Sequence, residues 1–375
     1  MADQQGPTDW TERLARVIDG VQAQYRRFRE VLRFQWVPGG AWTSYTAATI
    51  FVLVLVIPFL LSLWWGIQPA RFNVVDNAHR IAEQRGHISN DSVPTGYVSA
   101  ATLDQLTMVL LDKPGGYLTN DILPPGVLMD NIPAFETGVV IQVRDFAEAL
   151  RDDMSRSQTQ SEEDPDLAKA DPQFSFDYNK WGILFIPSTE SEYRKGQAFV
   201  RSYMDRLADP DASNDGQFYV RADNLRDWLK TVEMRLGDYA QQLAGARPEI
   251  RIQRNLAGEP SGTKAKSEAS EEVASTPWMA IDNVWWEARG TSYALVHLLE
   301  AVRHDFRPVL ENKNAIPSIN HVIRELRMAI REKDAWMVLN GEPFGLLANH
   351  SLIMSSYLAR ANAAVIDLRE LLQKG

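Results

Sequence analysis

The chain has 375 residues, of which 45% are hydrophobic and 23% charged, enough for one large domain or two medium ones. The formal net charge of −10 predicts no nucleic-acid partner, because binding to phosphate backbones requires clustered lysine and arginine. The absence of cysteine excludes a thiol nucleophile, a zinc–thiolate site, an iron–sulfur cluster and a disulfide framework.

Residues 1–41 predict an amphipathic arm on the cytoplasmic side of a membrane. Apolar residues recur at intervals of three and four, arginines occupy the other faces, and Pro38 with the two glycines after it ends the pattern. Such a helix could lie in the lipid headgroup layer, or pack against a partner helix or a second copy of itself. The apolar stripe consists of Trp10, Leu14, Val17, Val21, Tyr25, Phe28 and Leu32.

A transmembrane helix is predicted over residues 42–67. No residue between Arg33 and Arg71 carries a charge, and at about 1.5 Å per residue the apolar run crosses a hydrocarbon core of about 30 Å. A buried core helix of this length would have a polar face, and a cleavable signal peptide would not have about 40 residues before its apolar stretch. Interfacial aromatic residues flank the run: Trp42, Tyr45, Trp64 and Trp65.

Flanking charges indicate how this helix is oriented. Four arginines precede it closely with one glutamate among them, whereas the three that follow alternate with carboxylates. The positive-inside rule therefore predicts a cytoplasmic N-terminus, with the large domain outside the cytoplasm, in a bacterial periplasm. The preceding arginines are Arg26, Arg27, Arg29 and Arg33, and the following ones are Arg71, Arg80 and Arg85.

Residues 68–257 are predicted to form a helical region. The polar, acidic stretch 155–172 is expected to be a loop, and the apolar run 178–186 is too short to assign to helix or strand. Helical spacing of apolar residues predicts helices over 74–84, 99–111, 135–151, 191–207 and 221–243.

Residues 258–276 contain almost no bulky apolar side chain and are predicted to be a flexible loop or linker. Three helices with short turns are predicted to follow, near 277–312, 318–339 and 346–373, which favours a helical bundle over 277–375. Inside this region, Arg289 followed by Gly290 predicts a kink or a close backbone contact. The fold class is therefore mainly α: a single transmembrane helix followed by a large helical-bundle-like extracytoplasmic domain.

The sequence contains no recognisable catalytic motif, and it predicts no catalytic residue and no cofactor. Phosphate-binding glycine loops, the H-E-x-x-H zinc motif and the G-x-S-x-G nucleophile motif are absent. Asp130 and Glu136 could act as a glycosidase pair, but a turn cap and a first-turn helical glutamate explain them more simply. His297, Glu300 and His304 fall on one helical face and are weak candidates for metal ligands, with ordinary buried or surface histidines as the alternative.

Six segments of the sequence are informative together: Gly126–Pro133, Gly138–Asp145, Ser155–Ser161, Trp285–Gly290, Asn349–Met354 and Ala359–Ala364. With the membrane helix ahead of them, they resemble a family of uncharacterised proteobacterial membrane proteins, the domain of unknown function 2333. The resemblance covers most of the chain after residue 40, and it implies a bacterial inner-membrane location with no known activity, so no functional residue is assigned from it.

The leading hypothesis is a membrane-anchored envelope scaffold or interaction protein, a subunit or accessory of a membrane assembly. It would bind the lipid bilayer through residues 42–67 and associate with protein partners or as a homo-oligomer. Whether the chain is an enzyme stays open, although the absent motifs favour a non-enzyme. The alternative is an envelope enzyme or metal-binding protein acting on cell-wall or lipid material, and a third possibility is a module that binds a small apolar ligand between helices.

Overall fold

A computed structural model describes residues 41–374, except 88–91, 157–162, 183–186, 210–215, 246–248, 252–271, 275–279, 332–336 and 342–345. The predicted arm, apart from its last residue, and most of the predicted 258–276 loop therefore lie outside the described residues. The chain divides into two compact units, Met1–Leu63 and Trp64–Gly375.

The first described element is helix α1, Ala41–Trp65. Its stretch Tyr45–Trp65 has a mean hydropathy of 2.6, and none of its most apolar part is buried inside the protein. Within the described residues it is the one helix long and apolar enough to cross a membrane. A core helix of a soluble protein is covered by its neighbours, whereas this helix is exposed along that part. The prediction of one candidate membrane-spanning helix is confirmed.

The described part of the second unit is helical except for loops and one short strand pair, so the mainly α class is confirmed. Strands β1 and β2 are antiparallel, with the backbone of Ile250 opposite that of Val273. A 3₁₀ turn, Gly126–Leu128, precedes α4, and a π-helical turn, Leu150–Met154, follows it. The elements are α2 Val74–Arg85, α3 Tyr97–Asp112, α4 Asn131–Ala149, α5 Leu167–Phe174, α6 Thr189–Ala208, α7 Ala222–Ala244, β1 Glu249–Arg251, β2 Glu272–Ala274, α8 Ile281–Asp305, α9 Arg307–Asn312, α10 Ile316–Ala329 and α11 His350–Gln373.

Polar caps fix where several helices begin. The side chain of Asn73 accepts the backbone N–H groups of Val75 and Asp76, at 3.0 and 3.3 Å, and so starts α2. Ser188 caps α6 and Asn349 caps α11 in the same way. Gly86, with a φ of 72°, ends α2 in the left-handed conformation that glycine adopts at low cost.

Helix α8 lies at the centre of the second unit. Every residue from Ala288 to Leu299 is buried, as expected for a helix surrounded by others. The most extensive contacts join α4 to α8 and α7 to α11, and α10 packs on both α8 and α11. One continuous hydrophobic core extends from Val74 to Leu372. Helices on both sides of the 258–276 segment therefore share the same core.

The structure corrects two predictions. The helix predicted near 318–339 ends at Ala329, where the Arg289 side chain donates to the carbonyls of Ala329 and Arg331, and residues 337–339 are not helical.

The stretch 155–172, expected to be a loop, contains the first part of helix α5. Leu167, Ala170 and Phe174 are buried at helical spacing against α6, and that apolar face is sufficient for a short helix. The acidic residues that suggested a loop lie at its start, where the Asp164 side chain accepts two backbone N–H groups.

Two glycines allow α4 and α8 to approach closely. A Cβ atom at Gly138 would lie 2.0 Å from the Glu287 carbonyl oxygen, and one at Gly290 would lie 1.9 Å from the Phe135 carbonyl oxygen. The hydroxyl of Thr291 donates to the Gly138 carbonyl across the same contact, at 3.2 Å. The close backbone contact predicted at Gly290 is confirmed.

We expect Gly138→Ala to lower the free energy of unfolding by about 1–3 kcal/mol, because the added methyl group meets backbone atoms that cannot yield. Gly237→Ala, in the middle of α7, is the matched control. Its Cβ would meet no atom closer than 3.4 Å, so this variant should be stabilised by about 0.4–1 kcal/mol. Denaturant unfolding of the full-length protein in detergent measures both, and equal stabilities would contradict the packing described here.

Candidate functional site

Residues 66–73, here called the connector, join α1 to the folded unit and lie along helix α8. Three hydrogen bonds fasten them. The Arg289 guanidinium donates to the Gln68 side-chain oxygen at 3.0 Å. The Tyr293 hydroxyl donates to the Ala70 carbonyl at 2.8 Å, and the Phe72 N–H donates to a ring nitrogen of His297 at 3.2 Å.

The spacing of these bonds fixes the direction of the connector. Successive hydrogen bonds are two residues apart along the connector and four residues apart along α8. Two extended residues and four helical residues both span about 6 Å, so the two segments run parallel and in register. The N-terminal end of α8 is therefore the end nearest Trp65, the last residue of α1.

His297 is the innermost of the three attachment points. Its Nδ1 lies 2.7 Å from the Tyr293 carbonyl, its Nε2 accepts the Phe72 N–H, and the Phe72 ring stacks on it at 4.2 Å. The neutral ring with a proton on Nδ1 satisfies both bonds. The ring is 1% exposed, and burial lowers the pKa of His297 to about 4.

A cavity of about 680 Å³, here called the proximal cavity, lies beside the start of the connector. Four arginines line it, Arg71, Arg289, Arg327 and Arg331, and none of the described residues lining it is Asp or Glu. Arg71 is exposed and makes no ion pair with a described residue. A phosphate or carboxylate ligand is favoured where guanidinium groups gather without a lining carboxylate. Arg71 and Arg331 are the groups available to it, because Arg289 donates to Gln68 and two backbone carbonyls and Arg327 pairs with Glu300.

Arg289 forms the buried wall of the proximal cavity. It is 5% exposed, and its guanidinium donates to the carbonyls of Ala329 and Arg331, at 3.3 and 2.7 Å, just where α10 ends. It also lies over the Trp285 ring, 5.4 Å from the centroid. Carbonyls at a helix C-terminus carry partial negative charge and stabilise the cation there. Arg289 thus holds the end of α10 against the connector.

A second cavity of about 670 Å³, the distal cavity, lies further along α8. Its charges are mostly paired: Arg327 with Glu300 and Arg307 with Glu311, both at 2.6 Å. Arg303 donates to the Asn320 side chain at 2.7 Å. Arg71 and Arg327 line both cavities. The distal cavity is thus less available to an anion than the proximal one.

The three candidate metal ligands, His297, Glu300 and His304, all line the distal cavity. Both ring nitrogens of His297 are used in hydrogen bonds, Glu300 is paired with Arg327, and His304 lies 3.3 Å from Asp305. Among the described residues no group of three His, Asp or Glu side chains is placed to hold a metal ion. Metal binding stays a prediction, which elemental analysis of the purified protein would test.

The other two carboxylates considered from the sequence, Asp130 and Glu136, lie in different environments. Asp130 is exposed at the start of α4, and its side chain makes no capping hydrogen bond. Glu136 is fully buried beside Lys113, and burial raises the pKa of its carboxyl group.

The arginines of the proximal cavity were not predicted as a site. The only sequence signal for them is the four-residue spacing of Arg327 and Arg331.

His297 gives the folded state a pH dependence. Above pH 6.5 the ring is neutral whether the chain is folded or unfolded. As the pH falls from 6.5 toward 4, the unfolded chain gains a proton that the folded ring does not, so the free energy of unfolding falls by about 3 kcal/mol. Denaturant titrations across this range should show a shallower decline for His297→Gln than for the wild type, although the variant is less stable at pH 7.

The matched control is His321→Gln, because the His321 side chain is 47% exposed on α10. This variant should keep the wild-type decline. Identical declines for the wild type and His297→Gln would contradict the buried neutral histidine.

Among the comparisons with known proteins, one match was found, to a protein family. A family model described as "Uncharacterized protein conserved in bacteria (DUF2333)" matches residues 37–375, which include α1, the connector and both cavities. No curated protein and no solved structure matches the chain. The resemblance found in the sequence is therefore confirmed, and the chain belongs to the DUF2333 family of uncharacterized proteins conserved in bacteria.

Proposed function

We propose that this protein is a membrane-anchored interaction protein of the bacterial envelope, which holds other components at the surface of the inner membrane. The observation that carries the proposal is the fastening of the connector to α8. A flexible tether would let a domain move far from the bilayer, whereas three hydrogen bonds in register hold this domain beside the end of α1.

The packing after α1 supports a retained anchor over a cleavable signal. Phe72 stacks on the buried His297, and Val74 is 3% exposed. The residues that follow α1 are thus part of the fold, whereas a signal peptidase needs an accessible extended segment. The arginines before α1 support a cytoplasmic N-terminus, and large folded domains translocate largely regardless of their own charge.

The proximal cavity supports an anionic ligand for the proposed role. It lies at the end of the connector nearest α1, and three of its four arginines, Arg71, Arg327 and Arg331, are exposed. The ligand would carry a phosphate or carboxylate group, either on a lipid headgroup or on a soluble envelope component. Arginine side chains would bind the charged group of either ligand in the same way, so competition with free phosphate is needed to tell the two ligands apart.

We expect Arg71→Gln/Arg331→Gln to weaken binding of phosphatidylglycerol by about tenfold or more. One charge-assisted hydrogen bond contributes about 1.5–3 kcal/mol, and about 1.4 kcal/mol corresponds to a factor of ten. Native mass spectrometry of the full-length protein in detergent measures the bound lipid, with zwitterionic phosphatidylcholine as the lipid control. Arg226→Gln, a surface arginine of α7 outside both cavities, should bind as the wild type does.

Competition with inorganic phosphate separates the two ligand sources. Displacement of the lipid by millimolar phosphate indicates a general phosphate site, whereas resistance indicates recognition of the lipid itself. Equal phosphatidylglycerol binding by the wild type and the double variant would contradict an anion site here.

The broader role is tested in cells. Reporter fusions at each end of the chain should place the N-terminus in the cytoplasm and the C-terminus in the periplasm. Crosslinking followed by purification from gently solubilised membranes should recover a reproducible protein partner or a homo-oligomer. A reversed topology would contradict the location, and purification of a monomer without partners would contradict the interaction role.

A further inference from the structure

Residues 122–129, here called the apolar loop, expose large hydrophobic side chains without any charge among them. Leu128 is 77% exposed and Leu123 66%, and both Ile122 and Val127 are 51% exposed. The loop lies between the second-unit helices α3 and α4, outside the candidate membrane-spanning helix. A contiguous exposed apolar surface of this kind in a folded domain marks a contact with a partner or a membrane.

The root of the apolar loop is held in place by a buried charge cluster. The Glu136 carboxylate accepts the backbone N–H groups of Leu118 and Thr119, and it pairs with Lys113 at 2.6 Å. Next to the loop, the Asn120 amide donates to the Lys180 carbonyl at 3.0 Å. These bonds connect the loop to α4 and to the segment before α6. The exposed side chains are therefore presented by a fixed backbone.

Residues before and after the apolar loop lie near the end of α1. The turn that leads toward it touches Trp65: a Cβ atom at Gly115 would lie 2.6 Å from the Trp65 ring, a contact that only glycine permits. Tryptophan at the end of a membrane helix prefers the membrane–water interface. On the far side of the loop, Phe135 in the first turns of α4 lines the proximal cavity together with Gln68. Both ends of the loop thus lead to the part of the domain nearest α1.

We propose that the apolar loop inserts into the bilayer leaflet in which α1 ends, as a second membrane contact of the domain. The proposal rests on the anchoring role proposed for α1. Two carboxylates, Asp121 and Asp130, flank the loop. Because ionised carboxylates do not enter hydrocarbon at low cost, insertion stops at the boundary between headgroups and acyl chains. A helix and a loop at separate points fix the tilt of the domain, which one helix alone cannot do.

The chain contains no cysteine, so single cysteines can carry an environment-sensitive fluorophore without background labelling. We would place the fluorophore at Leu123 or Leu128 in the full-length protein reconstituted into vesicles that contain lipids with quenchers on their acyl chains. Met234, 59% exposed on α7, is the water-facing control, and Ile57, 50% exposed in α1, is the lipid-facing control.

The proposal expects blue-shifted emission and lipid quenching at Leu123 and Leu128, as at Ile57, with neither effect at Met234. Emission typical of water at both loop positions, with Ile57 quenched, overturns the insertion and leaves the anchor intact. Blue-shifted emission without lipid quenching overturns it too, because a protein partner or a second copy would then cover the loop. If Ile57 itself is not quenched, the anchor fails and the proposal fails with it.

A substitution distinguishes insertion from accidental proximity. With the fluorophore at Leu123, Leu128→Asp should abolish most of the lipid quenching, whereas Met234→Asp should leave it unchanged. Both replaced side chains are exposed, so the fold should tolerate either change, which circular dichroism checks. Undiminished quenching in Leu128→Asp would contradict insertion of the loop tip.

Discussion

The attachment of the connector to helix α8 is the interaction on which the rest of the structure depends. The connector is a short extended segment, and such segments are normally free to move. Here it acts as an additional strand-like element laid along a buried helix, with a hydrogen bond at every second residue. The side chain that bonds to the connector at Phe72 is neutral, and the one that bonds to it at Gln68 is a cation. The buried His297 accepts a backbone N–H, and Arg289 links Gln68 to the end of α10.

Helix α8 can serve as this support because it is packed on all sides. The close approach of α4 across Gly138 and Gly290 removes freedom of α8 to shift or rotate. The antiparallel return of α10 brings Arg327 and Arg331 back toward the connector. The proximal cavity therefore forms where three elements of the fold meet. The connector contributes Arg71, α8 contributes Arg289, and α10 with the turn after it contributes the other two.

Local patterns predicted the elements well, because helices are specified by residues close together in the sequence. Apolar spacing placed α2, α6 and α7 within two residues of their observed ends, and length with lack of charge identified α1. Helix α5 was missed because three apolar residues among many acidic ones give a weak signal. The site could not be predicted in this way. His297 drew attention as a ligand type, but its partner is a backbone N–H 225 residues away, which no local pattern contains.

The proposed role depends on the connector staying fastened along α8. The most direct test is the distribution of distances between spin labels at Ile67 and Met234, both exposed, in the full-length protein in lipid bilayers. A single narrow distribution is expected, because the connector is held along α8. A broad distribution, as a flexible tether would give, would contradict it.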